Sequence, residues 1–128
     1  MVKKYFFKDT FDIPLLRGEL IVLITNQENK VKEFIPSFDK NLYAHSALYE
    51  HENGKQSYML ILNFDSELRK IHHGTIAHEA LHIAGFIAKK RGIQPSFSND
   101  EVIAYLIEWI TDKIYELTEK YKLNKKIK

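Results

Sequence analysis

His78-Glu79-Ala80-Leu81-His82 reads H-E-x-x-H, and this stretch governs the reading of the whole chain. It calls for a helix, because residues i and i+4 then lie on one face about a turn apart. Two imidazoles placed there can grip one Zn²⁺. The glutamate at i+1 then stands beside the metal, where it can take a proton from a water that the metal activates. With six histidines in 128 residues, an accidental match is expected in only about 2% of such chains. The pattern is therefore read as a metal site, with His78 and His82 as ligands and Glu79 as general base, and not as histidines decorating a helix surface.

Working outward, the helical stretch that carries the motif opens at Asp65 or Ser66. Gly74 interrupts it early and Thr75 offers a second cap, so one helix and a short helix followed by a longer one both fit. Arg91-Gly92, a basic last turn followed by glycine, ends it. Pro95 to Ser98 reads as loop. A last amphipathic helix runs from about Asn99 to Tyr121, with Ile103, Leu106, Ile107, Ile110, Ile114 and Leu117 on one face. On the other side of the motif, Glu19 to Thr25 is rich in β-branched residues and reads as a buried strand. Asn26 can cap a short helix that turns Val31, Phe34 and Ile35 inward and stops at Pro36. Leu42 to Glu50 and Ser57 to Phe64 flank a turn containing Asn53-Gly54, the signature of a β-hairpin. The order strand, helix, hairpin, helix, helix predicts an α+β fold, a small, twisted, mostly antiparallel sheet packed on the motif helix and a second long C-terminal helix.

A chain of 128 residues suits a single domain, 1–128, with one core. Hydrophobic residues make up 45% and charged residues 28%, ordinary values for a globular protein. The net charge of +2 is too small to argue for nucleic acid, and residues 121–128 read as a frayed basic tail. There is no cysteine, so a zinc ion must be held by histidine, carboxylate and water. The opening, Met1 to Asp9, is basic, but its apolar run is too short for a signal peptide. No apolar run approaches the ~18 residues of a membrane span. The expectation is a cytoplasmic protein with no membrane partner.

Two histidines do not complete a catalytic zinc site, which usually has three protein ligands and an open position. His78 to Gly85 matches the opening of the metzincin pattern H-E-x-x-H-x-x-G, but the third histidine of that pattern falls here on Ala88. Gly85 is instead read as a small residue that lets another element approach. Glu101 lies 19 residues after His82, in Ser98-Asn99-Asp100-Glu101-Val102-Ile103-Ala104-Tyr105. H-E-x-x-H followed by E-x-x-A resembles the gluzincins, the thermolysin-like metallopeptidases, and among them small members encoded by phages and mobile elements. The resemblance covers Thr75 to Tyr105, about a quarter of the chain. It implies a minimal zincin-like domain, a Zn²⁺ held by His78, His82 and Glu101, and peptide hydrolysis with Glu79 as base. Asn99-Asp100-Glu101 differs from the family's N-E-x-x-x-D by one inserted residue. The family's orienting aspartate is replaced by Tyr105, and Asp100 is the candidate substitute.

Some of these residues have a second reading. Ser98-Asn99-Asp100-Glu101 also fits the capping box S-x-x-E, in which the glutamate folds back onto the helix start. Glu108, further along the same face, is the reserve ligand. Tyr105 is a candidate oxyanion donor, or else a packing residue. His72 and His73 read as surface histidines at a helix bend, His45 and His51 receive no role, and Trp109 packs. In zincin-like peptidases an exposed edge strand takes the substrate as an added β-strand, and here Tyr43 to Tyr49 or Ser57 to Leu62 could supply it. The expected partner is a peptide or protein substrate. The alternative is a catalytically inactive, metal-stabilised interaction module.

Overall fold

The computed structural model describes residues 6–33, 35–36, 44–63, 73–94, 96–98 and 100–120. Seven elements follow one another, β1 (Phe6–Asp12), β2 (Glu19–Thr25), α1 (Glu28–Lys32), β3 (Ala44–Glu50), β4 (Gln56–Asn63), α2 (His73–Lys90) and α3 (Asp100–Lys120). The fold is α+β. Its four-stranded sheet has the order β1-β2-β4-β3 and does not close. β1 with β2 and β3 with β4 pair antiparallel, whereas β2 and β4 pair parallel. The sheet is thus mixed, and the expected hairpin is β3–β4. β4 lies inside the sheet, and β3 is an edge.

β1 has no counterpart in the sequence reading. Its alternation is weak, since Phe7, Asp9 and Phe11 share the half-buried side while Lys8, Thr10 and Asp12 are exposed. An aspartate in the middle of the inward row masks the period of two. The return from β1 to β2 is tight. Ile13 N–H donates to the Gly18 carbonyl at 3.1 Å, and Leu15, Arg17 and Gly18 all adopt positive φ.

The core lies between the sheet and the two long helices. Leu20, Val22 and Ile24 of β2 and Tyr58, Leu60 and Leu62 of β4 meet Ile76, Ala80, Ile83, Ala84 and Ile87 of α2 and Leu106, Ile110, Ile114 and Leu117 of α3. Trp109 packs against this core, as expected. The opposite face buries Leu23 and Ile61 under Val31 of α1, with Ile35 alongside. α1 starts after Gln27, which makes no side-chain cap bond, and not after a capping Asn26. Phe34, the expected helix start at Asp65 or Ser66, His72, the cap position Asn99 and the tail at 121–128 lie outside the described residues.

Gly74 and Thr75 lie within the first turn of α2, so neither breaks or caps it. The C-terminus of α2 agrees with expectation. Gly92 takes φ +71°, its N–H donates to the Lys89 carbonyl at 3.2 Å, and Ile93 N–H donates to the Ala88 carbonyl at 2.8 Å. This is a Schellman closure, in which a left-handed glycine lets the chain cap its own last carbonyls. The stop is anchored to the sheet end, since Arg91 Nε donates to the Leu16 carbonyl at 2.5 Å and its Nη2 to Gln56 Oε1 at 2.7 Å. No helix among the described residues is long and apolar enough to cross a membrane.

At the Ser57 end of β4, Ser57 Oγ donates to Glu19 Oε1 at 2.8 Å and lies 2.7 Å from His51 Nε2. The hydroxyl has one proton, which goes to the carboxylate, so His51 Nε2–H is the donor to Ser57. His51, without a role in the sequence reading, thus closes a polar chain joining the hairpin turn to β2. The Ser57 bond holds the Glu19 carboxyl below its ordinary value; Lys55 and His51 add to this, against the opposing effect of burial. A depressed carboxyl stabilises the fold above its unfolded pKa, and that contribution is lost as pH falls through the folded value. Stability curves of wild type and Glu19→Gln should therefore lie apart at neutral pH and converge in acid; curves that stay parallel would refute the network.

The Tyr58 hydroxyl is buried without a hydrogen-bond partner among the described residues. Tyr58→Phe removes this unmet group and should hold or raise stability by up to ~1 kcal/mol, whereas Leu60→Ala should lose ~2–5 kcal/mol in urea denaturation.

Candidate metal centre

α2 buries Ile76, Ala80, Ile83, Ala84 and Ile87. With about 100° between successive residues, that choice turns His78 and His82 to the outside. Both are exposed, and their Nε2 atoms stand 3.2 Å apart, with ring centroids at 4.8 Å. Two ring nitrogens this close need something between them, a proton on one or a shared cation. At zinc–nitrogen distances near 2.1 Å, two tetrahedral ligands are separated by about 3.4 Å, so the pair has the spacing of two ligands of one ion.

Glu79 is one helical step round from His78, on the rim facing the sheet. It is buried, 7% exposed, and its Oε2 lies 3.8 Å from His78 Nε2. Its other oxygen accepts a hydrogen bond from Ser46 Oγ of β3 at 2.5 Å. A carboxylate this buried needs such a donor, because its desolvation is otherwise uncompensated. Sequence reasoning missed Ser46, and no local signal points to a partner 33 residues away.

Among the described residues, His78, Glu79 and His82 form a group whose ligand atoms all lie within 4.8 Å of one another, near enough to hold a metal ion. The remaining candidates stand on α3, outside that group. Glu101 is the second residue of α3 and exposed, Tyr105 follows one turn later at 48% exposure, and Glu108 is exposed beyond it. His73 opens α2, exposed, with its ring edge-on to Tyr115 at 5.4 Å, away from the group. His45 is half-buried on β3. Gly85 is exposed, and a Cβ there would meet nothing within 4 Å, so it is not a point of close approach. The small residues that α2 buries are Ala80, Ala84 and Ala88.

Comparison with protein-family models, with curated proteins and with solved structures finds no match. The resemblance to H-E-x-x-H metallopeptidases rests on the motif and on the group it forms.

Because the group sits on the outer face of a helix whose inner face makes the core, His78→Ala and His82→Ala should each remove the divalent-cation binding that wild type shows in calorimetry and leave the apo-protein's melting temperature within a few degrees of wild type, about what a surface change of ~0.5 kcal/mol allows.

Proposed function

We propose that the protein is a zinc-dependent hydrolase, most simply a metallopeptidase of gluzincin type, with His78 and His82 as ligands and Glu79 as general base. The observation that carries this reading is the pair of imidazole nitrogens at 3.2 Å with a buried carboxylate beside them, 3.8 Å from the nearer one. A structural clip has no use for a base held at that place. The donor set, nitrogen and carboxylate oxygen without sulfur, fits zinc among the common divalent ions.

Glu101 is the proposed third ligand. It projects from the first turn of α3, the helix that packs beside α2. A divalent ion held by these residues supplies Lewis acidity, activating water near neutral pH and polarising a scissile carbonyl. Glu79 takes the proton of the attacking water as its oxygen bonds to the carbonyl carbon, and returns a proton to the amine as the C–N bond breaks. Tyr105, exposed on α3 one turn beyond Glu101, is the proposed donor to the developing oxyanion. The substrate strand is assigned to the β3 edge, which lies next to α2 and carries Ser46 against the base. Backbone groups of an edge strand pair with an extended peptide, which suits an exposed segment of another protein.

The test begins with zinc content and affinity. Wild type should bind one Zn²⁺, and Glu101→Ala should weaken it by at least about tenfold. Glu79→Gln should keep the ion yet remove cleavage of a peptide library. Absence of zinc from wild type at neutral pH, even when added in excess, would sink the enzyme reading and leave an interaction module. Unchanged affinity in Glu101→Ala would return that glutamate to helix capping.

A further inference from the structure

Beside two imidazoles, a carboxylate can serve a bound cation in two ways, as a third ligand or as a base acting on the water next to it. The partners of its two oxygens bear on which it does. The histidine nitrogens, 3.2 Å apart, match the edge of a tetrahedral site. Glu79 Oε2 stands back at 3.8 Å from His78 Nε2, and Oε1 is occupied by the Ser46 hydroxyl at 2.5 Å. Nothing within α2 itself imposes that set-back. Glu79 is adjacent in sequence to a ligand, on a side chain long enough to swing towards the histidines.

The restraint comes from β3. Ser46 lies at the middle of this strand, paired with Leu60 of β4, so its place is set by the sheet. The same strand is tied to α2 again near the other end of the helix, through the ion pair of Glu50 with Lys90. The hydroxyl therefore stands at a fixed position relative to the helix, and it holds one oxygen of the carboxylate towards the sheet.

We propose that Ser46 is a positioning residue. By donating to Glu79 Oε1 from the edge strand, it restrains the carboxylate beside His78 and His82, so that it acts as a base on a cation held there and does not close on that cation as a third ligand. This rests on the metal-site reading of the two histidines and adds to it. The third-ligand position is then left to a group from elsewhere in the chain, and the strand assigned to the substrate is also the strand that aims the base.

The experiment uses Zn²⁺ calorimetry and the visible absorption of the Co²⁺-loaded protein for wild type, Ser46→Ala, Ser46→Thr, Glu79→Gln and the Ser46→Ala/Glu79→Gln double variant. Glu79→Gln should bind Zn²⁺ within about twofold of wild type, since the residue is not a ligand. Ser46→Ala should bind about tenfold more tightly, with a changed Co²⁺ spectrum, as the freed carboxylate joins the ion. Ser46→Thr, which keeps the hydroxyl, should behave as wild type, and the double variant should lose the gain. A purely structural serine would alter melting temperature but neither affinity nor spectrum. Wild-type affinity and spectrum in Ser46→Ala would overturn the latch while leaving the metal site standing. Loss of the ion in Glu79→Gln alone would also overturn it, by making the carboxylate a ligand already. Failure of both wild type and Ser46→Ala to bind Zn²⁺ or Co²⁺ would remove the metal-site reading, and the latch with it.

Discussion

The angular phase of α2 is the constraint on which everything else depends. An α-helix advances about 100° per residue, so once one face is committed to the core every other side chain has its direction assigned. Here Ile76, Ala80, Ile83, Ala84 and Ile87 take the inward face. His78 and His82 are then obliged to face outward together, and Glu79 falls at the boundary, where a side chain can be buried against the sheet edge and still reach the histidines. Rotating the helix by one residue would bury an imidazole among leucines and isoleucines and expose an isoleucine to water, each at a cost of ~2 kcal/mol or more. Core packing thus sets the geometry of the candidate centre.

Regular elements hold the surroundings of that centre. β3 meets α2 at Glu79 through Ser46 and again at Lys90 through Glu50. The Schellman closure at Gly92 stops the helix, and Arg91 fastens the stop to the Leu16 carbonyl and the Gln56 side chain. Sites built on helices and strands keep their distances better than sites on loops.

Polar groups are divided between two regions of the sheet. Around Ser57, a chain of hydrogen bonds through His51 and Glu19 draws in Lys55, and its members satisfy one another. Around Ser46, one hydroxyl meets one carboxylate, whose second oxygen faces the two histidines. The first arrangement is closed and structural. The second leaves donor atoms converging on a common point, which is what a ligand-binding group requires.

The chain by itself determined whatever depends on near neighbours. The spacing of His78 and His82 is a helical property, and so is the placing of Glu79 beside them. The strand at 19–25, the Asn53-Gly54 hairpin, the glycine stop at Gly92 and the amphipathic stripe of α3 were all legible for the same reason, because their physics acts within a few residues. Tertiary structure alone decided the contacts between distant segments. β1 stayed hidden because Asp9 interrupts its inward row, and only pairing with β2 makes it a strand. The parallel pairing of β2 with β4, which makes β3 an edge, follows from how the layers close over the core. Gly85 looked like a point of close approach and lies on the exposed face, because the phase of α2 places Ala80, Ala84 and Ala88 inward instead. Ser46 has no signature of its own; its meaning comes from a hydrogen bond to a residue 33 positions away, which exists only after sheet and helix have packed.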